Sequence, residues 1–257
     1  GRGVKTIIEM VNHTRLDCVM MSATLMRKTL VEAGHHVRYR SAFGARLVSQ
    51  PAMINVLADL AVESEAATAT ALRLARAYDE EDNALRRFAT AVLKYWICKR
   101  ATPHAAEALE CLGGNGYVEE SPMPRLLRDA PLNGIWEGSG NVMALDVLRA
   151  LARSPEALDA FFAEVDEAAG ADPRLDDFTT ATRAEFSDLE AIEPRARRVV
   201  ERMALCLQGS LLVRHAPPAV ADAFCAARLA GDAGLHYGTL PPGVDAAAIV
   251  ARHTPPV

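Results

Sequence analysis

Between residues 16 and 34 the apolar side chains Leu16, Val19, Met20, Ala23, Met26 and Leu30 recur at steps of three and four, the spacing that gathers side chains on one face of a helix. A second pattern is longer. It opens with Pro51, suited to a first helical position, and places Met53, Leu57, Leu60, Ser64, Ala67, Ala71 and Leu74 at alternating steps of four and three, as the seam of a helix bundle requires. Small residues late in that seam let a neighbouring helix approach closely, and the rod should be roughly 40 Å long. After the acidic turn "YDEEDN" a third helix is predicted from Ala84 through Leu85, Phe88, Val92 and Tyr95 toward Leu112, kinked or loosened at Pro103.

The stretch "GGNGYVEESPMP" ends that helix, because Gly113, Gly114 and Gly116 can take positive φ and form a sharp, close-approach turn. A short helix near Pro124 to Asp129 and another from Glu137 to Ala152 complete a four-helix bundle with a small insert, assigned to residues 1–152. Past Ser154 and Pro155 alanine and acidic residues dominate, and residues 153–257 read as a smaller helical C-terminal domain. Its amphipathic segments lie at 155–169, 174–208 and 217–230, and "GTLPPGVD" introduces a last short helix before a loose "HTPPV" tail. Strand-like alternation is nowhere sustained and no internal repeat is present, so the fold class is all-α.

With 257 residues and 50% hydrophobic content, the chain can bury a substantial core. No apolar run approaches the roughly 20 residues needed to span a bilayer, so no membrane partner is expected. The opening "GRGVKTIIEM" has neither a signal-peptide core nor an initiator methionine, which raises the expectation of a piece of a longer protein. The five cysteines, Cys18, Cys98, Cys111, Cys206 and Cys225, are odd in number and widely spaced. A disulfide framework is not expected, and a reducing cytoplasm suits them. No CxxC or HExxH occurs, and His35 and His36 are adjacent rather than four apart, so no metal site is expected. The net charge of −5 is uneven: residues 151–257 carry 10 basic and 16 acidic side chains and no lysine, which argues against a broad phosphate-tracking surface there.

Three separated segments carry the chemistry: "RSAFG" from Arg40 to Gly44, "ECLGGNGYVEE" from Glu110 to Glu120 followed by "RLLRDA", and "IWEGSGNV" from Ile135 to Val142. In this order and spacing they resemble the C-terminal helical domain of the acyl-CoA dehydrogenase family. "NHTR", "IWEGSGNV" and the tail containing "APPAVADAFCAARL" most resemble its AidB-like, alkylation-response branch, and the resemblance covers essentially the whole chain.

The resemblance implies an FAD-dependent α,β-dehydrogenation of a short or branched acyl thioester with Glu137 as the base. A weakly acidic α-proton calls for a desolvated carboxylate held within about 3 Å of it. Ile135 and Trp136 offer an apolar wall and Gly138 leaves room for substrate. The competing reading of Glu137 is an acid in a helix's first turn. By the same resemblance Arg40 reaches the dinucleotide's pyrophosphate or adenine end, usually across a subunit interface, as a planar guanidinium suits; its alternative is a solvated arginine beside Arg38. Phe43 and Gly44 seat that loop, with Gln50 a polar contact. Gly113, Gly114 and Gly116 bring backbone amides to the dinucleotide of a neighbouring subunit. Ser139 and Asn141 touch its pyrophosphate or adenosine portion. Gly140 stands where a hydroxylated residue is common, and Glu110 where glutamine is common.

Arg15 is expected near the acyl-CoA or active-site mouth, with Asn12 replacing an acid; its alternative is pairing with Asp17 or Glu9. A second function is also implied: an AidB-like protective protein that binds double-stranded DNA. Arg195, Arg198 and Arg202, at steps of three and four, form a small anion-binding stripe for it, against a solvated face paired with Glu193 and Glu201. A third reading is structural, a tail that caps the bundle and builds a homo-oligomer, dimer or tetramer, through an exposed heptad seam and interface-located flavin motifs.

Overall fold

The computed structural model describes residue 1 and residues 3–253. Past His253, the expected loose tail lies outside the described residues. Three long helices form the frame: α1 (Gly3–Tyr39), α2 (Pro51–Asp79) and α3 (Asn83–Glu110). The first is twice as long as its apolar stripe, and the third runs unbroken through Pro103 rather than ending or loosening there. A turn with two two-residue antiparallel strands, β1 (Ser41–Ala42) and β2 (Ala45–Arg46), joins α1 to α2. Tyr78 and Asp82 shape the return to α3, whose N-terminus is capped by the Asp82 side chain accepting from the Leu85 amide.

Because the chain goes up, down and up, α1 and α3 are parallel. Ser22 meets Cys98 at 3.4 Å, and about two helical turns further on Thr29 meets His104 at 3.2 Å. Short helices α4 (Gly114–Tyr117) and α5 (Met123–Asp129) lead to α6 (Gly140–Arg153), which packs on α3. The predicted helix from Glu137 therefore starts three residues later, and Glu137 stands in the preceding loop.

The tail holds α7 (Glu156–Asp166), α8 (Pro173–Ala184), α9 (Ala196–His215), α10 (Pro218–Phe224) and α11 (Ala246–His253), with a π-helical turn at Cys225–Leu229. The span 174–208 is thus two helices, broken by residues 185–195. Helix α9 packs on both α2 and α3, α7 on α3 and α11 on α2. One hydrophobic core runs from Val19 to Ile249 across residue 153. The seam of α2 is filled by this packing: Leu57, Leu60, Ser64, Ala67, Ala71 and Leu74 are all buried. It is not an exposed surface, and self-association cannot use it.

Buried charge ties tail to bundle. Glu63 accepts from Arg100 Nε at 3.0 Å and Nη2 at 2.9 Å, while Arg228 reaches both Glu63, at 3.3 Å, and Asp59. The Gly238 amide donates to Asp59 at 2.9 Å, and the Arg100 guanidinium lies against the rings of Trp96 and Tyr237. Burial pushes the Glu63 carboxyl up, but Arg100 and Arg228 outweigh it and hold it at about 2. Burial also pulls His104 down to about 4, against the opposing pull of the Leu60 carbonyl, to which its Nε2 donates and which sets the tautomer of the ring. All five cysteines are free and buried.

Both shifts act with one sign. Each folded-state value lies below the unfolded one, so the unfolded chain binds more protons on acidification and stability falls as pH falls. His104 contributes between its ordinary value of 6.5 and about 4, and Glu63 between 4.5 and about 2. Denaturant melts across this range should show decreasing stability from pH 6.5 downward, and His104→Asn should flatten the upper part of the slope; a flat wild-type profile refutes the assignment.

Candidate functional site

Residues 135–139 form a loop between a 3-10 turn (Leu132–Gly134) and α6. The amides of Ile135 and Trp136 both donate to the Leu132 carbonyl. Three consecutive carbonyls then turn toward the bundle. Lys94 of α3 donates from Nζ to Trp136 at 2.8 Å and to Gly138 at 2.5 Å, and Arg15 of α1 donates from Nε to Glu137 at 3.0 Å. Arg15 also pairs with Asp146 of α6 at 3.0 Å. It pairs with neither Asp17 nor Glu9, both of which are exposed.

The clamp holds Glu137 at φ +56°, a left-handed conformation that costs a non-glycine residue about 1–3 kcal/mol. Hydrogen bonds to charged donors are worth about 1.5–3 kcal/mol each, so three of them over-determine the strain. Glu137 is half-buried, and among the described residues its carboxylate makes no ion pair. Ile135 and Trp136 flank it with exposed apolar surface, the indole fixed by Nε1 donating to Asn133 at 3.1 Å. Glu137 is therefore no first-turn helix acid but a side chain displayed by a pinned loop.

Ser139 is the N-cap of α6 yet makes no side-chain cap bond, and Ser139 and Asn141 are both exposed. The first-turn amides of α6 are thus open to an anion. A Cβ at Gly140 would lie 2.8 Å from Lys99 Cε and 3.3 Å from an Arg197 nitrogen. These two cations crowd the helix start. Burial, then the like charge of Arg197, pulls the Lys99 ammonium down, a conflict that an anion relieves.

The other predicted residues lie elsewhere. Arg40 and Phe43 are exposed on the turn after α1, with Phe43 at φ +53°. Gln50 donates to the Ala42 carbonyl at 2.9 Å and so braces that turn. Gly113 has φ +59°, whereas Gly114 and Gly116 are helical; at Gly116 a Cβ would strike the Leu109 carbonyl oxygen at 2.3 Å. Both groups emerge where α1 and α3 end. From Ser22, which is level with Cys98 and Lys99, to Tyr39 the helix rises about 25 Å, so this cluster stands toward the other end of the bundle from Glu137, Ser139 and Asn141.

The arginine stripe is engaged within the chain. Arg195 lies in a 3-10 turn ahead of α9, and both Arg195 and Arg198 pair with Glu185 rather than with Glu193 or Glu201. Arg202 stacks on the Phe178 ring at 4.2 Å.

Residues 1–152 match the family model described as "Acyl-CoA dehydrogenase, C-terminal domain". The chain belongs to the acyl-CoA dehydrogenase family. It is 38% identical over 229 residues to AidB of Escherichia coli, covering 88% of this chain and 42% of that protein. It is 31% identical over 243 residues to acyl-CoA dehydrogenase family member 11 of Caenorhabditis elegans, covering 84% and 39%. The crystal structure of ACDH-11 from the same organism, in complex with C11-CoA, superposes with a TM-score of 0.80 at 29% identity, over 89% of this chain and 45% of that one. The chain therefore spans about two fifths of the length of these acyl-CoA dehydrogenase relatives.

Sequence reading missed Lys94, Asp146, Lys99 and Arg197. Each is a charge within a helical pattern, and nothing in its spacing says that it faces inward to a distant loop. Gly138 does carry a legible signal. Its φ of +114° is closed to L side chains, although the Met143 methyl, 2.5 Å from a Cβ there, could move aside. Gly138→Ala is expected to destabilise the fold by about 1–3 kcal/mol in denaturant melts; an unchanged midpoint would show that the loop tolerates another conformation.

Proposed function

We propose that the chain is the C-terminal part of an FAD-dependent acyl-CoA dehydrogenase in which Glu137 removes the α-proton of a short or branched acyl thioester. The observation that carries this reading is the pinned loop. Three carbonyls face Arg15 and Lys94, and the Glu137 carboxylate is left without an ionic partner among the described residues. A carboxylate without an ionic partner is free to meet a substrate proton, and a clamped backbone fixes its direction.

Acyl-CoA dehydrogenases are flavoproteins, and the flavin, when bound, supplies the acceptor for the β-hydride. The residues present suit such a dinucleotide. The uncapped start of α6, with Ser139, Asn141, Lys99 and Arg197 around it, offers amides, hydroxyl and positive charge to a pyrophosphate. On the far end Arg40, Phe43 and the Gly113–Gly114 turn offer a second set, braced by Gln50. Since the second set stands about 25 Å along α1 from the level of Ser22 and Lys99, it is proposed to serve the dinucleotide of another copy, and the protein to act as a homo-oligomer. Arg15, placed by resemblance at the mouth of the site, is already bonded to the Glu137 carbonyl and Asp146. Its proposed part is to hold the base, with substrate passing over it.

No helix among the described residues is long and apolar enough to cross a membrane. In the full-length, flavin-loaded protein Glu137→Gln should slow bleaching of the flavin by an acyl-CoA by about 10²–10⁴-fold while leaving flavin content unchanged. Wild-type bleaching by that variant removes Glu137 from the chemistry.

A further inference from the structure

Lys94 is 1% exposed, one of the largest fully buried side chains in the molecule. Burying an ammonium is costly, and a well-packed apolar residue of similar volume usually does as well or better for stability. No carboxylate pairs with it among the described residues. Its nearest titratable neighbours include the Cys18 and Cys98 thiols, which burial pushes up, Cys98 to about 11, so they stay protonated and neutral. What the ammonium does have is the pair of carbonyls on either side of residue 137, at 2.8 and 2.5 Å.

Those two oxygens belong to the residues before and after Glu137. Through Trp136 Lys94 holds the peptide that enters Glu137, and through Gly138 the peptide that leaves the next residue, so the loop is fixed on both flanks of the Cα–Cβ bond. Arg15 holds the intervening carbonyl from α1, but its guanidinium is 14% exposed and shared with Asp146. Lys94 comes from beneath, from the buried middle of α3.

We propose that Lys94 is a positioning residue for Glu137: its buried ammonium locks the peptide before the base and the one after Gly138, bracketing the peptide that Arg15 holds, and so aims the carboxylate at the substrate. This rests on the reading of Glu137 as base. A methionine at residue 94 would fill the same volume and relieve the desolvation, yet could not hold the two oxygens. Global stability and loop order should therefore separate.

The test uses the full-length flavin-loaded protein with Lys94→Met and Glu137→Gln side by side. Amide exchange of the segment 132–142, read by mass spectrometry, should quicken roughly tenfold or more in Lys94→Met. The limiting rate of flavin bleaching should drop about 100-fold, as for a base displaced by an ångström. The affinity for a non-reacting thioester and the unfolding midpoint, within about 4 °C, should not move. Wild-type exchange and bleaching in Lys94→Met, alongside a dead Glu137→Gln, overturn the proposal but leave the base intact. Wild-type bleaching in Glu137→Gln overturns the base reading, and with it the role of Lys94 in catalysis, while the exchange measurement still reports the lock. Should methionine not be tolerated, Lys94→Ala with added propylamine replaces it: restored loop protection by the amine and none by propanol supports the lock, and equal restoration by both refutes it.

Discussion

A peptide group outside a helix or sheet must still find its hydrogen-bond partners, and the turn over residues 136–138 cannot find them within itself. The amides of Ile135 and Trp136 share the Leu132 carbonyl, leaving the next three carbonyls facing the bundle. Cations on α1 and α3 take them. Because those helices are long, parallel and packed along their length, the loop inherits the rigidity of the frame. The side chain with the most chemical interest is thus oriented from beneath, by residues that need not touch the substrate.

Helix α3 serves the tail in the same way. Six residues past Lys94, Arg100 closes a buried group of two carboxylates and two guanidiniums in which Asp59 and Glu63 come from α2 and Arg228 from the tail. Removing one member leaves a buried charge without compensation, which costs several kcal/mol, about 3–5 in comparable cases. The acidic excess of residues 151–257 is spent in similar contacts. Glu164 accepts from Arg73 of α2 at 2.7 Å and from Arg214 at 2.8 Å, and Glu185 holds Arg195 and Arg198. The change in composition near residue 153 therefore marks a second layer over one continuous core. The arginine stripe that suggested nucleic acid is largely occupied by the tail's own acids and by Phe178.

Helix periodicity made the frame legible: α2 begins at Pro51 as its sequence says, and the apolar stripes of α1 and α2 are buried. Periodicity does not say what covers a stripe, and so the seam of α2 looked exposed when α1, α3 and the tail fill it. Nor does it register a helix break inside a long amphipathic run, as at residues 185–195. In the site, motif resemblance located Glu137, Arg40 and the glycine turn. It could not supply Lys94, because a lysine in a helix is ordinarily solvated, and only the three-dimensional path of a loop 42 residues later makes it a donor.

The separation of the two flavin-facing sets constrains the assembly more than either set does alone. On the proposed reading Arg40 and Ser139 both serve a dinucleotide's phosphates, yet a rise of about 25 Å along α1 separates their levels, which favours their facing different dinucleotides. On the proposed reading each site takes Ser139 and Asn141 from the chain that supplies Glu137, and Arg40 with the glycine turn from another. A pairing in which each copy gives what it receives is isologous, the geometry of a two-fold axis. The absence of a Cβ at Gly116, where the turn folds against the Leu109 carbonyl, keeps that donated end compact. With the seam of α2 already filled, the same reading puts the ends of α1 and α3 at the two-fold contact, so that dinucleotide binding and self-association would draw on the same residues.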